Sequence, residues 1–242
     1  MKLAVASSAF HRSLESGELT QLEFLDLCAR DLACDGVVLD VRHFPRTDGD
    51  YLAQVKKMAA DRGLGVAAVA DAGFFAADET AMRSALERAV ALGAPLLASP
   101  LPLETGSSWI EQLERLGIAS SLAKRANVTL ALRNAARTFA ASAPDCKRVS
   151  KETDSAWLRF GLDPLAFDAA SDPATLAPNA VLLWSDIDAA ATNAIAGTIG
   201  AFAAFRGYVA LDERDGSATP AEMQNAMRSW RIAFAEKELN RT

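Results

Sequence analysis

Three charged residues each close an apolar alternation. Arg133 follows Leu130 and Leu132, Asp163 follows Leu158, Phe160 and Leu162, and Asp212 follows Val209 and Leu211. Side chains alternate faces along a strand, so the three polar ends point away from the face their apolar neighbours bury. A guanidinium stays protonated, pairs well with carboxylates and can hold a developing oxyanion. A carboxylate beside it can act as acid or base, which makes Arg133, Asp163 and Asp212 the leading candidates for a site. His43, in "VRHFPR", joins them as a general base or a ligand, since an imidazole titrates near neutrality. Its plainer reading is a loop histidine packed on Phe44, and His11 poses the same choice.

Other side chains at equivalent places are candidates for ligand contact: Asp40, Asn134, Asp186, Glu213 and Arg214. Asp40 can equally bond loop amides, and Asp186 can cap the next helix. Residues 212–214, "DER", also read as an internal ion-pair cluster. Phe74, with Phe75, is placed to wall an apolar side of a pocket. Trp184 has outward parity and is expected to fill the core. The chain has no Gly-rich phosphate loop, no GxSxG elbow and no zinc-finger spacing.

Eight short apolar runs carry these residues: Leu3 to Ala6, Gly36 to Val41, Leu64 to Ala70, Ala94 to Ala98, Val128 to Leu132, Leu158 to Leu162, Ala180 to Trp184 and Tyr208 to Leu211. Helical patterns separate them. Thr20-Gln21-Leu22-Glu23 and Thr219-Pro220-Ala221-Glu222 are capping boxes. Met223, Met227, Trp230 and Phe234 follow the second at helical spacing and read as core. Further helix starts are expected at Asp48, Asp78 and Ser171-Asp172-Pro173, while Gly197 and Gly200 weaken a long helix over 187–205. Strands alternating with helices over 242 residues, half of them hydrophobic, predict α/β architecture: a single (β/α)8 TIM barrel domain spanning 1–242. In such a barrel the site gathers at the C-terminal strand ends. In order these are Ser7, Asp40 with His43, Asp71, Ser99, Arg133 with Asn134, Asp163, Ser185-Asp186 and Asp212-Glu213-Arg214.

Composition narrows the partners. The net charge of −6 offers no basic face for nucleic acid. No apolar run approaches the roughly 18 residues of a membrane span, and the stretch from Leu3 to Phe10 suits a first strand better than a signal peptide. Cys28, Cys34 and Cys146 form no CxxC pair and read as reduced buried thiols of a cytoplasmic protein. The expected partner is a small polar molecule.

The segments "LEFLDLCARDLACDGVVLD", "VTLALRN", "LRFGLDP" and "GYVALDE", in that order, resemble the xylose isomerase-like barrel superfamily of sugar isomerases and epimerases. That resemblance implies a divalent metal held by Glu, Asp, His and Glu at the ends of strands five to eight, the glutamates also moving protons beside a carbonyl. In this chain those places hold Arg133, Asp163, Leu183 and the shorter Asp212, and Ala166 stands where the family often has a substrate-binding His. The implied manganese, zinc or cobalt is therefore expected to be lost, with no cofactor in its place. Two carboxylates with a guanidinium carry the same net charge as three carboxylates with a divalent cation. The resulting expectation is an isomerase/epimerase-like barrel that binds a sugar or hydroxy acid. Any catalysis would be metal-free proton transfer, with Asp212 or His43 as base and Arg133 holding the oxyanion. The alternatives are a non-catalytic binding or regulatory barrel and, further off, an apurinic endonuclease, which needs metal ligands and a basic groove.

Overall fold

The computed structural model describes residues 1–167, 171–187 and 192–239; side chains are not described at 192, 193, 238 and 239. Eight parallel strands close in sequence order, each bonded to the next and the last to the first. They are β1 (Lys2–Ala6), β2 (Gly36–Asp40), β3 (Gly65–Ala70), β4 (Leu96–Pro100), β5 (Thr129–Arg133), β6 (Leu158–Leu162), β7 (Ala180–Asp186) and β8 (Tyr208–Asp212). The predicted strands are all present, with ends shifted by up to two residues. Closure leaves no open sheet edge.

The helices are α1 (His11–Ser16), α2 (Gln21–Arg30), α3 (Gly49–Asp61), α4 (Glu79–Leu92), α5 (Trp109–Ala126), α6 (Ala143–Thr153), α7 (Thr192–Ala201) and α8 (Pro220–Leu239). Their starts follow local chemistry. Glu23 N–H donates to Thr20 Oγ1 while the Glu23 carboxylate accepts from Thr20 N–H, as the capping box requires. Thr219 and Glu222 repeat the arrangement. Asp48 and Asp78 cap α3 and α4. The start expected at Ser171-Asp172-Pro173 yields a 3-10 turn, Pro173–Asn179, capped by Asp172. Part of the ambiguous stretch 187–205 lies outside the described residues, and the rest includes α7. Among the described residues no helix is long and apolar enough to cross a membrane. The three cysteines are buried free thiols.

Two apolar layers result. Leu130, Leu132, Leu158, Phe160, Val209 and Leu211 pack outward against the helices. The barrel interior is lined mostly by small side chains, among them Ala4, Ala67, Ala98, Ala131 and Ala210, with Trp184 as the largest. Trp184 thus corrects the expected outward parity. The run Val181-Leu182-Leu183-Trp184 offers no polar alternation to fix its faces. In the barrel Leu183 packs outward, and Ser185 accepts a hydrogen bond from Trp230 Nε1 of α8 at 3.3 Å. Position 184, not 183, is therefore the inward place near the end of β7.

The lower barrel is tight where Gly36 faces Gly65. A Cβ on Gly36 would lie 2.5 Å from the Gly65 carbonyl oxygen and 2.8 Å from the Tyr208 ring. Gly36→Ala is expected to cost about 1–3 kcal/mol, the usual range for overpacking a rigid site. Denaturant unfolding measures this, and an unchanged midpoint would mean that β2 and β3 separate freely.

Candidate functional site

The C-terminal strand ends enclose a cavity of about 640 Å³. Arg133, the last residue of β5, reaches into it. Its Nη1 donates to Asp212 Oδ2 at 3.2 Å, and its guanidinium carbon lies 4.1 Å from the Trp184 ring centroid. Asp212 ends β8 and is 7% exposed. Its other oxygen, Oδ1, accepts from Ser8 Oγ at 2.7 Å and from Glu213 N–H at 3.0 Å. The sequence-derived pairing of Arg133 with a strand-end aspartate is thus present, on the β8 side. Both Asp212 oxygens are engaged, so Asp212 anchors the guanidinium.

Asp163 follows β6 and lines the same cavity. Its Oδ1 accepts from Leu165 N–H at 3.2 Å. Burial pushes its carboxyl above the usual carboxylate range, with the charge of Arg133 acting in opposition. Asn134 is buried and lines the cavity, but both arms of its amide are committed. Nδ2 donates to Asp163 O at 3.0 Å and Oδ1 accepts from Asp163 N–H at 2.8 Å. Asn134 therefore staples the ends of β5 and β6.

Two further strand-end aspartates hold arginines of their own. Asp40 accepts from Arg42 Nε at 3.1 Å and from its Nη2 at 2.7 Å. Asp186 pairs with Arg214 Nε at 2.7 Å. Asp40, Arg42 and Arg214 line the cavity, and Asp186 does not. Glu213 accepts from Asp215 N–H at 2.8 Å and Ser217 N–H at 2.6 Å, so it organises the turn between β8 and α8.

Two expected site residues sit elsewhere. Phe74 is 1% exposed and packs edge-on against Phe75 in the outer core, so it forms no wall of the cavity. His43 lies behind the wall, with His11 in front of it. Arg42, Ser8 and Trp184 are lining residues that sequence reasoning missed. The inward facing of Trp184 follows from its register with Ala210 of β8, which the sequence does not display.

The donor set does not suit a divalent metal. Among the described residues no group of three or more His, Cys, Asp and Glu side chains is placed to hold one. The guanidinium of Arg133, itself a cation, bonds Asp212 and stands between the carboxylates of the mouth and any second cation.

A family model described as xylose isomerase-like TIM barrel matches residues 28–197. No curated protein matches the sequence. Among solved structures, L-ribulose 3-epimerase superposes with a TM-score of 0.75 at 17% identity, covering 100% of this chain and 98% of its own. The probable 3-DHS dehydratase AsbF of Bacillus anthracis, involved in petrobactin synthesis, gives 0.74 at 14%, with 94% and 98% covered. The apo 3-keto-D-glucoside 4-epimerase YcjR of E. coli gives 0.72 at 15%, with 96% and 99% covered. At these identities the likeness is one of fold.

The raised carboxyl of Asp163 has a thermodynamic consequence. A group whose folded pKa exceeds its unfolded value, about 3.9 for Asp, contributes stability below that value and loses it as pH rises through the folded one. Asp163→Asn keeps an acceptor for Leu165 N–H and removes the charge. The variant is expected to melt higher than wild type at pH 7, with the difference narrowing toward pH 4. Parallel melts across that range check this, and a lower-melting variant at pH 7 would contradict it.

Proposed function

The chain belongs to the xylose isomerase-like TIM barrel family, and on that premise we propose that its mouth binds a small polyhydroxylated carbonyl compound and moves a proton on the carbon beside the carbonyl. The observation that carries this reading is the guanidinium of Arg133, fixed on one side by Asp212 and beneath by Trp184. A preoriented cation is suited to the oxyanion that forms when a carbon acid loses its proton. It takes the place that the family gives to a divalent metal.

The base is better assigned to Asp163 than to Asp212 or His43. Asp212 has both oxygens occupied, and His43 does not line the cavity. Asp163 does line it, and its burial brings carboxyl and carboxylate closer in energy, as proton transfer in both directions needs. Paired donors and acceptors such as Arg42 with Asp40 and Arg214 with Asp186 suit hydroxyl groups on the rest of the ligand.

The test is deuterium incorporation from heavy water into ketohexoses and short 2-oxo-hydroxy acids, followed by proton NMR. Wild type is expected to exchange the proton beside the carbonyl of at least one compound. Arg133→Ala is expected to slow that exchange by about 10²–10³-fold, the usual loss for one oxyanion donor. The second reading, a non-catalytic binding barrel, is favoured by the engagement of both Asp212 oxygens. A compound that raises the melting temperature and never exchanges would establish it.

Manganese titration addresses the cation separately. Wild type is expected to give no stoichiometric binding heat. The double variant Arg133→Glu with Trp184→His, which sets Glu, Asp, His and Asp at four strand ends, is expected to bind weakly. Stoichiometric binding by wild type would overturn the replacement of metal by guanidinium.

A further inference from the structure

The cavity at the mouth has two unlike halves. Apart from Arg133 and Asp163, every charged residue that lines it stands on the arc from β8 through β2. These are Asp212, Glu213, Arg214 and Asp215 at and after the end of β8, and Asp40 and Arg42 at and after the end of β2. The arc from β3 through β6 presents Ala70, Ala72, Pro100, Ala135, Ala136 and Leu165. β4 and β8 are four strands apart in a closed ring of eight, as are β5 and β1, so the apolar arc faces the charged one.

The polar side chains on the apolar arc are turned to the protein. Ser99 Oγ donates its one proton to Pro100 O at 3.0 Å. Asn134 gives both arms of its amide to the backbone of Asp163. Arg133 leans to the far side, where it donates to Asp212. Asp163 is the exception. It is 5% exposed, its Oδ1 accepts from Leu165 N–H, and no hydrogen bond among the described residues reaches its Oδ2. A buried carboxyl with one oxygen open to a cavity is a group that a ligand completes.

The apolar wall is built before any ligand arrives. Leu103 and Thr138 form an antiparallel bridge between the loops after β4 and β5, and Glu104 N–H donates to Arg137 O at 3.0 Å. A ligand hydroxylated all round would leave the hydroxyls on this side without side-chain partners, at a cost once water is displaced. An apolar group there gains the burial instead, and the wall includes Leu165, 39% exposed. The volume of about 640 Å³ falls within the roughly 300–1,000 Å³ of pockets that take drug-sized ligands. A ring suits such a wall better than an alkyl chain, because it has few torsions to freeze.

We propose that the ligand of this mouth is two-faced: a hydroxylated head that carries an aryl group. The head lies toward the arc from β8 through β2, with Arg133 and Asp163 at its border. The aryl group lies against the wall that holds Pro100, Ala136 and Leu165, which makes these the residues that set specificity. The assignment rests on the small-ligand reading of the mouth and narrows its substrate class.

The experiment is calorimetric titration of the whole chain with matched pairs of compounds that share a head. One pair is phenyl and methyl β-D-glucopyranoside; the other is 1-hydroxy-3-phenylpropan-2-one and hydroxyacetone. The phenyl member of at least one pair is expected to bind about 10–100-fold more tightly, the usual weight of burying a phenyl group. Ala136→Asp, or Leu165→Asp should the first variant not fold, is expected to erase that preference by setting a charge in the wall. Arg214→Ala is expected to weaken both members of the pair alike, since it meets the head. Equal binding of the members, no binding of either phenyl compound, or a preference that survives the wall variants overturns the proposal. The proton-transfer reading stands or falls apart from this. A phenyl preference without deuterium exchange overturns proton transfer alone, and exchange of a ketohexose without a phenyl preference overturns the aryl wall alone.

Discussion

The mouth of this barrel is organised around one ion pair, Arg133 with Asp212. Asp212 is largely removed from water, and a buried carboxylate left without its cation is strongly destabilising. The Arg133 side chain keeps 30% of its surface in solvent and that of Asp212 only 10%. The pair therefore falls between a weak surface bridge and a fully buried one. Stacking of the guanidinium on the Trp184 ring strengthens its hold. From Asp212 the constraint spreads through Ser8 and the Glu213 amide. Glu213 in turn gathers the amides of Asp215 and Ser217, and the turn they form sets Gly216 against His11.

The same arrangement recurs twice at the mouth, with Asp40 holding Arg42 and Asp186 holding Arg214. In these pairs the carboxylate is buried and the guanidinium lies half or more in solvent. Exposed arginines add little stability of their own. Their physical role is to satisfy the strand-end carboxylates at the rim of the cavity.

Much of the architecture was legible in the sequence, because its signals are local. The apolar alternations of β5, β6 and β8 end in a charged residue, which fixes their faces. The capping boxes at Thr20 and Thr219 mark where helices begin. The meeting of Arg133 with Asp212 follows from parity, although 79 residues separate them in the chain. What was hidden depends on contacts that no periodicity records. β7 is apolar on both faces, so its pattern alone turns Trp184 the wrong way. Phe74 opens a short 3-10 turn after β3, where no strand sets its direction. Asn134 reads as a ligand contact because it is polar and near the mouth; that its two arms meet one backbone unit just beyond β6 depends on strand register.

Trp184 gives the mouth a property of a different kind. It is 2% exposed, its indole N–H has no hydrogen-bond partner among the described residues, and a guanidinium covers its face. Of the other tryptophans, Trp109 lies beside Phe139, Trp157 just before β6, and Trp230 bonds Ser185 outside the barrel. The emission of Trp184 therefore reports on the guanidinium above it, so that a movement of Arg133 becomes an optical event, readable without any added label.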